Sequence, residues 1–172
     1  HVIVLWVVRR FGLTKVILTR HGETYWNLEG RVQGILNSSL TQTGIVQAKK
    51  LAKRLRCEGV THLFTSDLER AVATAKILQD HLNIDQIVLS KELREFSFGE
   101  WEGKIWNELR REYPDLLDQW DRGPHLVQIP GGERMKDVGE RAWSYVLSCV
   151  KKHPGKVLCF VTHGITLQLI VK

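Results

Sequence analysis

The sequence has few cysteines and no apolar run long enough to span a membrane, and each shortage excludes a class of protein. Its 172 residues include three cysteines, Cys57, Cys149 and Cys159, an odd number without a Cys-x-x-Cys pair, which indicates neither a disulfide framework nor a zinc site. The apolar run VIVLWVV at 2–8 is too short to cross a bilayer. Arginines follow that run rather than precede it, the wrong order for a signal peptide. We therefore expect a cytoplasmic protein without a membrane partner.

Two common nucleotide-binding patterns are also missing. Neither GxxxxGK[ST] nor GxGxxG occurs anywhere in the sequence, which argues against P-loop and Rossmann proteins. No internal repeat, low-complexity tract or linker interrupts the chain. At 172 residues and 43% hydrophobic composition, the chain fits one domain with a single sizeable core.

The charge of the chain favours an anionic partner without indicating which kind. The formal net charge is +6 and the calculated isoelectric point is about 9.4. The 25 basic residues are spread along the sequence rather than concentrated in an arm or a tail, so nucleic acid is not indicated as a partner.

Short β-type runs alternate with helical patterns along the chain. Runs rich in β-branched and aromatic residues predict buried strands, and stretches with apolar residues three and four positions apart predict helices. The predicted strands are 16–19, 62–65, 87–90 and 157–162, and the predicted helices follow Thr41 and cover about 68–82 and 135–149. Such alternation predicts an α/β three-layer sandwich with a mostly parallel central sheet. The aromatic stretch 96–132 predicts short helices and loops over one end of the sheet.

Polar side chains follow each of the four predicted strands. The first strand ends in Arg20 and His21, the second is followed by Arg70, the last ends next to His163, and Glu95 follows the run at 87–90. The carboxyl ends of parallel strands meet at one edge of a sheet, where ligands bind. Because arginine and histidine are costly to bury without an anionic partner, this edge is the predicted binding site for an anion.

Seven motifs, in order from about residue 15 to the end, carry a resemblance to a known family. They are RHGET with Asn27, RVQG (31–34), LTQTG (40–44), SDLERAVATA (66–75), LREFSFGEWEG (93–103), PGGE (130–133) and VTHG (161–164). Together they resemble the histidine phosphatase superfamily, in the branch that contains cofactor-dependent phosphoglycerate mutases and related phosphatases. The resemblance implies a phosphoglycerate mutase-like fold.

The residue types at this edge suit transfer of a phosphoryl group. A neutral imidazole, His21, can attack phosphorus without charge repulsion, provided that a hydrogen bond fixes its tautomer; we expect a backbone carbonyl as that partner. Arg20, Arg70 and His163 would form a clamp for the phosphoryl oxygens. Glycine at 22 and 164 would let main-chain N–H groups approach the same oxygens, so Gly22 and Gly164 are also predicted to bind substrate.

A carboxyl group must protonate the departing oxygen, and Glu95 is the predicted acid. Glu100 and Glu102 compete with it by proximity alone, and the family motif favours Glu95. No metal or organic cofactor is required.

The resemblance also places several polar residues around the substrate. Asn27, Gln33 and Gly34 are predicted to bind substrate, and Thr24 is a weaker candidate. Asn27 could instead cap a turn, and Glu23 could pair with an arginine. Among the aromatic residues, Trp143 is predicted to pack in the core, while the substrate entrance would involve Trp101, Trp106 and Trp120.

Two features favour hydrolysis over mutase activity. Glu95 and His163 are 68 positions apart, whereas family mutases carry a markedly longer insertion there. Mutases also tend to read LNERHYG where this chain reads LREFSFG. The predicted function is hydrolysis of a small-molecule phosphate monoester through a phosphohistidine, similar to broad-specificity and α-ribazole phosphatases. A cofactor-dependent phosphoglycerate mutase is the alternative, and a non-catalytic phospho-ligand-binding module is a further one; a homodimer is compatible with all three.

The two ends of the chain are set apart from the predicted domain. Residues 1–14 form an N-terminal extension, in which the run at 2–8 is either an extra edge strand or a translation artefact. The histidine phosphatase domain is predicted over residues 15–172. Because the chain ends barely two turns after His163, where relatives continue with a helix and usually a strand, we expect C-terminal elements of the family to be missing.

Overall fold

The computed structural model describes residues 2–9 and 12–171. Within them, five strands form one sheet in the order β1-β2-β5-β3-β4. The strands are β1 (Val2–Arg9), β2 (Gly12–Arg20), β3 (His62–Ser66), β4 (Ile87–Ser90) and β5 (Val157–Thr162). Strand β1 runs antiparallel to β2, while β2, β5, β3 and β4 are parallel to one another. The mostly parallel sheet predicted from the sequence is confirmed.

The helices connect the strands over both faces of the sheet. In chain order they are α1 (Tyr25–Glu29), α2 (Gln42–Leu55), α3 (Glu69–Leu82), α4 (Trp106–Glu112), α5 (Pro114–Arg122), α6 (Met135–Lys152) and α7 (Gly164–Val171), with 3₁₀ turns at Lys91–Leu93, Gly99–Trp101 and Pro124–Leu126. Helix α2 begins after Thr41, whose hydroxyl accepts a hydrogen bond from the Gly44 amide, the usual way of satisfying a free N–H at a helix start. The N-cap expected at Thr41 is therefore present.

Two apolar clusters hold helices against opposite faces of the sheet. On one face, Leu18 and Phe160 pack with Val146 of α6 and Leu167 of α7. On the other, Ile17, Leu63 and Val161 pack with residues of α2 and α3 that include Leu55 and Leu78. Side chains alternate between the two faces along each strand, so both faces are apolar and both are covered. This arrangement is the three-layer sandwich expected from the sequence.

The segment between 96 and 132 has a small core of its own. Buried Phe96, Phe98 and Trp101 pack with residues of α4 and α5 and with Ile129. As expected, the segment consists of short helices and loops. It lies beside the carboxyl ends of the strands, because Phe98 and Trp106 line the same cavity as His21.

The N-terminal run belongs to the sheet. Residues Val2–Arg9 pair with β2 along their whole length, from Val2 opposite Thr19 to Arg9 opposite Gly12, which is the edge-strand alternative. Strand β2 begins at Gly12, within the range set apart as an extension. Four residues lie outside the described part of the chain: His1, residues 10–11 and Lys172. The first and last residues of the predicted division into 1–14 and 15–172 are among them.

None of the helices in the described part of the chain is long and apolar enough to cross a membrane. The three cysteines are free, Cys57 on the surface and Cys149 and Cys159 in the interior.

A close backbone contact joins the loop after β2 to the start of α2. A Cβ atom at Gly44 would lie 2.9 Å from the Glu23 nitrogen and closer still to its carbonyl oxygen. Thr41 N–H donates to that carbonyl at 2.9 Å. Only glycine fits at 44, and the contact fixes the loop that follows His21.

We expect Gly44→Ala to lower the free energy of unfolding by about 1–3 kcal/mol, because the added methyl group forces the backbone of two segments apart. Urea unfolding followed by circular dichroism measures the change. Gly139→Ala in α6, where the nearest atom is 3.6 Å away, is the matched control and should leave stability unchanged or raise it. Equal stability of Gly44→Ala and the parent would contradict the packing described here.

Candidate active site

The parallel register brings the ends of β2 and β5 side by side. Arg20 pairs with Thr162 in the sheet, and the His21 amide donates to the Thr162 carbonyl at 3.0 Å. The next residues, His21 and His163, therefore leave the sheet together, with ring centroids 5.1 Å apart. The sequence placed these two imidazoles at one edge, and the structure brings them into contact.

Hydrogen bonds to both ring nitrogens fix the tautomer of His21. Nδ1 lies 2.7 Å from the Gly22 carbonyl oxygen, which can only accept, so Nδ1 carries the proton. Nε2 accepts from Arg70 Nε at 3.2 Å and therefore presents its lone pair. A backbone carbonyl was the expected partner, and the structure identifies it as that of Gly22.

Burial keeps His21 neutral. Removal from water, followed by the charge of Arg70 and then that of Arg20, lowers the pKa of His21 from 6.5 to about 3, against the opposing effect of the Gly22 carbonyl. At neutral pH the imidazole is uncharged, the state in which Nε2 is a nucleophile.

His163 is completely buried, and its charged state is disfavoured for similar reasons. Burial first, then the positive charge of Arg70 and, more weakly, those of Arg20 and Arg141, hold its pKa well below 6.5. Neither ring nitrogen has a hydrogen-bond partner among the described residues. Because buried polar atoms are normally paired, these nitrogens indicate that a polar ligand belongs beside them.

Arg70 is anchored by the loop that follows α1. Its Nη1 donates to the Leu36 carbonyl at 2.6 Å and its Nη2 to the Gly34 carbonyl at 2.7 Å, while Nε faces His21. Burial, partly offset by the charge of Glu95, lowers the pKa of Arg70 to about 10. The guanidinium therefore remains charged at neutral pH and is held rigidly over Nε2 of His21.

Arg20 is the second arginine that lines the cavity. It lies next to Gly164, where an added Cβ would be 3.6 Å from its Cζ. Both arginines, His21 and Glu95 line one cavity of about 270 Å³. His163 is not among its lining residues, and its ring lies 5.1 Å from that of His21. This cavity can hold an anion against two guanidinium groups and a neutral imidazole.

Glu95 follows the 3₁₀ turn Lys91–Leu93, and its carboxyl group lies against the first turn of α7. Its Oε1 accepts from the amides of Phe96 and Thr166, at 3.0 and 3.1 Å, and Oε2 accepts from the Ile165 amide at 3.2 Å. A carboxylate at a helix N-terminus is favoured by the free N–H groups there. Oε2 also lies 3.7 Å from the Cβ position of Gly164, so the carboxyl group is positioned and faces the cavity.

Four further residues predicted to bind substrate lie at the cavity. Asn27, Gln33, Gly34 and Gly164 line the cavity with the arginines, and Gln33 Oε1 is buried without a partner among the described residues. Asn27 also caps α1, since its Oδ1 accepts from the Thr24 amide at 3.0 Å. The capping interpretation of Asn27 is therefore confirmed, and its role in substrate binding stays a prediction.

The expectation for Gly22 requires a correction. Its N–H donates to Thr74 Oγ1 at 3.0 Å and is not available to phosphate oxygens. Glycine is needed there for another reason, because a Cβ would collide with the backbone of Gly44.

Glu102, considered from the sequence only as a competing acid, has a structural role. Its Oε1 accepts from the Ile35 amide at 3.1 Å and from the Phe98 amide at 2.9 Å. Gly34, at a φ of +51°, packs so tightly on this carboxylate that a Cβ would overlap it. Glu102 thus fixes the loop whose carbonyls hold Arg70. Glu100 is exposed and does not line the cavity.

Several other sequence expectations have clear outcomes. Glu23 accepts from the Thr41 hydroxyl at 2.8 Å and forms no arginine pair among the described residues. Of the three tryptophans expected at the entrance, Trp106 lines the cavity, whereas Trp101 is completely buried and Trp120 packs against the aromatic core. Trp143 packs against the core under α6 and α7, as expected.

A second cavity of about 590 Å³ shares Arg20, His21 and Asn27 with the first. Gly22, Gln47 and Thr74 also line it. In the described part of the chain, no three His, Cys, Asp or Glu side chains are grouped so that they could hold a metal ion.

The sequence as a whole matches one protein family. The family model of the histidine phosphatase superfamily (branch 1) matches residues 16–172. The chain belongs to this superfamily. A curated relative, the probable phosphoglycerate mutase GpmB of Yersinia pestis, is 37% identical over 159 residues, which cover 92% of this chain and 74% of the relative.

Solved structures of other proteins share the fold of this histidine phosphatase. YhfR of Bacillus stearothermophilus is 40% identical with a TM-score of 0.87, covering 92% of this chain and 78% of that one. A mycobacterial glucosyl-3-phosphoglycerate phosphatase in complex with VO3 is 27% identical (TM-score 0.83; 90% and 78%). The α-ribazole phosphatase of Shigella flexneri is 27% identical (TM-score 0.79; 91% and 77%). The expected family and fold are confirmed.

We expect acid to destabilise this protein through its two buried histidines. The pKa of His21 is about 3 in the folded state against 6.5 for an exposed histidine. Between these two values the imidazole is protonated in the unfolded chain and neutral in the folded chain. Each such histidine lowers the free energy of unfolding by up to about 1.4 kcal/mol per pH unit as the pH falls. Above pH 6.5 this penalty is absent.

Urea unfolding at pH values between 7 and 4 measures this slope. In His163→Gln the free energy of unfolding should fall less steeply with decreasing pH than in the parent, because only one buried histidine, His21, then takes up a proton on unfolding. His125→Gln, at an exposed position, is the control and should retain the parental slope. A slope unchanged by His163→Gln would show that His163 is not held neutral.

Proposed function

We propose that this histidine phosphatase hydrolyses small-molecule phosphate monoesters through a covalent phosphohistidine at His21. The observation that carries the proposal is the state of that side chain: a neutral imidazole whose Nδ1 is held by the Gly22 carbonyl and whose Nε2 faces Arg70. A neutral imidazole with an unprotonated Nε2 beside a guanidinium group suits nucleophilic attack on phosphorus, once substrate displaces the hydrogen bond from Arg70 to that nitrogen.

In the first step, Nε2 of His21 attacks phosphorus and the bond from phosphorus to the leaving oxygen breaks. Arg70 and Arg20 stabilise the charge that spreads over the phosphoryl oxygens. His163 would contribute beside His21, since its unpartnered nitrogens suit contact with those oxygens. Anchoring of Arg70 by two carbonyls means that this donor needs little rearrangement during the reaction.

Glu95 would supply the proton that the leaving oxygen needs. Its Oε2 accepts a single amide hydrogen bond and faces the cavity, so it is the oxygen that can carry a proton toward the substrate. In the second step the resulting carboxylate takes a proton from water, and the water oxygen attacks the phosphohistidine. The N–P bond breaks, inorganic phosphate leaves, and both His21 and Glu95 return to their starting states.

Phosphatase activity is favoured by the site and by two of the solved relatives, which carry the names of phosphatases. A second candidate is phosphoglycerate mutase activity, because curated relatives are named as probable phosphoglycerate mutases. A mutase must keep water away from the phosphohistidine and return the phosphoryl group to a hydroxyl. Three free cysteines support the further proposal that the protein works in the reducing cytoplasm.

We expect His21→Ala to abolish phosphate release from a panel of alkyl and aryl phosphates assayed with EDTA present, since no other group can form the covalent intermediate. Arg70→Lys should lower kcat by about 10²- to 10³-fold, because lysine cannot replace the anchored, forked donor. His125→Ala, at an exposed position, is the control. Rapid quenching of the parent with labelled substrate should trap one acid-labile phosphoryl group per chain.

Unchanged turnover in His21→Ala, or turnover that EDTA abolishes, would contradict the proposal. Interconversion of phosphoglycerates with added 2,3-bisphosphoglycerate, faster than phosphate release, would favour the mutase instead.

A further inference from the structure

Arg141 of α6 contacts the back of the segment that carries Glu95. Its Nη1 donates to the carbonyls of Glu92 and Arg94, at 2.7 and 3.0 Å, and its Nη2 approaches the Glu95 carbonyl at 3.3 Å. Glu92 lies within the 3₁₀ turn Lys91–Leu93, and Arg94 and Glu95 follow it, so all three carbonyls lie outside the sheet. The Arg141 side chain thus binds three carbonyls of the segment 92–95, which leads into and includes the predicted acid, Glu95.

Glu133, from the PGGE motif, completes this clamp. Its two carboxylate oxygens accept from Nε and Nη2 of Arg141, both at 3.1 Å. Oε2 of Glu133 also accepts from the Ser97 amide at 2.9 Å, and the Glu133 amide donates to the Ser97 carbonyl at 3.0 Å. The pair therefore holds the main chain on both sides of Glu95.

Neither member of the pair lines the cavity that contains His21. Both line a separate cavity of about 300 Å³ together with Glu95 and Ser97. Their side chains are only 19% and 32% exposed, unlike the surface pair of Arg134 and Asp137, at 70% and 46%. An exposed pair contributes little to stability. A half-buried pair with further hydrogen bonds to four main-chain groups restricts the geometry of the segment that it holds.

The carboxyl group itself depends on that geometry. It is held at the start of α7 by amides of α7 and by its own neighbour Phe96, and Thr166 Oγ1 donates to the Arg94 carbonyl at 2.8 Å. A shift of the 92–97 backbone would move Glu95 against these donors. Misplacement of a catalytic group by about 1 Å can cost about 10²-fold in rate.

We propose that Arg141, oriented by Glu133, is a positioning residue for proton transfer by Glu95. This inference depends on the proposed function, in which Glu95 protonates the leaving group. The main effect of Arg141 is expected on that step, because its hydrogen bonds go to the Glu95 segment and to Glu133, and its charge is the smallest of the named influences on the pKa of His163.

Leaving-group dependence tests this role. An alkyl phosphate needs its leaving oxygen protonated, whereas the p-nitrophenolate leaving group departs without a proton. We expect Arg141→Met to lower kcat for an alkyl phosphate about 10- to 100-fold while changing that for p-nitrophenyl phosphate less than about threefold. Arg141→Lys should behave nearly as Arg141→Met, because one ammonium group cannot span three carbonyls and a carboxylate. Arg134→Met is the matched control and should leave both rates unchanged.

A double-mutant cycle separates positioning from general structural damage. In a Glu95→Gln background, Arg141→Met should cause no further loss with the alkyl phosphate, since the group that it positions can no longer donate a proton. If Arg141→Met lowers thermal stability too far for assay, Glu133→Gln, which keeps the arginine and its carbonyl contacts, should show the same selective loss in weaker form.

Equal losses for the alkyl and aryl substrates in Arg141→Met and Glu133→Gln would overturn this inference and leave the proposed function intact. Additive losses in the Glu95→Gln background would overturn it as well. A parent protein that releases no phosphate from either substrate would instead overturn the proposed function.

Discussion

The site depends on keeping two imidazoles uncharged in the presence of two arginines. His21 and His163 are in ring contact, and both are removed from water at the end of parallel strands. Burial and the neighbouring guanidinium charges act in the same direction on the pKa of each. The positive charge of the site therefore resides on Arg20 and Arg70, while Nε2 of His21 stays free of a proton.

That charge distribution needs a rigid frame, and most of the frame is main chain. Carbonyls of Gly22, Gly34 and Leu36 fix the His21 tautomer and the Arg70 fork. The loop that supplies two of them is held in turn by Glu102. Preorganised donors of this kind lower a barrier because they need not reorient as charge develops. The same principle extends to Glu95, which is held through its own backbone by Arg141 and Glu133.

Glycine and small polar residues make these close approaches possible. At Gly22 and Gly44 two backbone segments touch where any side chain would separate them. The N–H of Gly22 is satisfied by Thr74, one turn along α3 from Arg70. The loop after β2 is consequently fixed to α2 and α3, and the orientation of His21 relative to Arg70 follows from that packing.

The strands, the main helices and the edge at which polar residues converge could be predicted from the sequence, because apolar periodicity and strand order are local properties. Arg20, His21, Arg70 and His163 were recognisable there, since each follows a strand or begins the next helix. Sequence could not show that the Gly22 amide is occupied by Thr74, that Trp101 is buried while Trp106 lines the cavity, or that Glu102 and Arg141 support the site. Those facts are contacts between residues far apart in the chain. Only the packed tertiary structure decides which of several equivalent carboxylates, amides and indoles lies within hydrogen-bonding distance of the others.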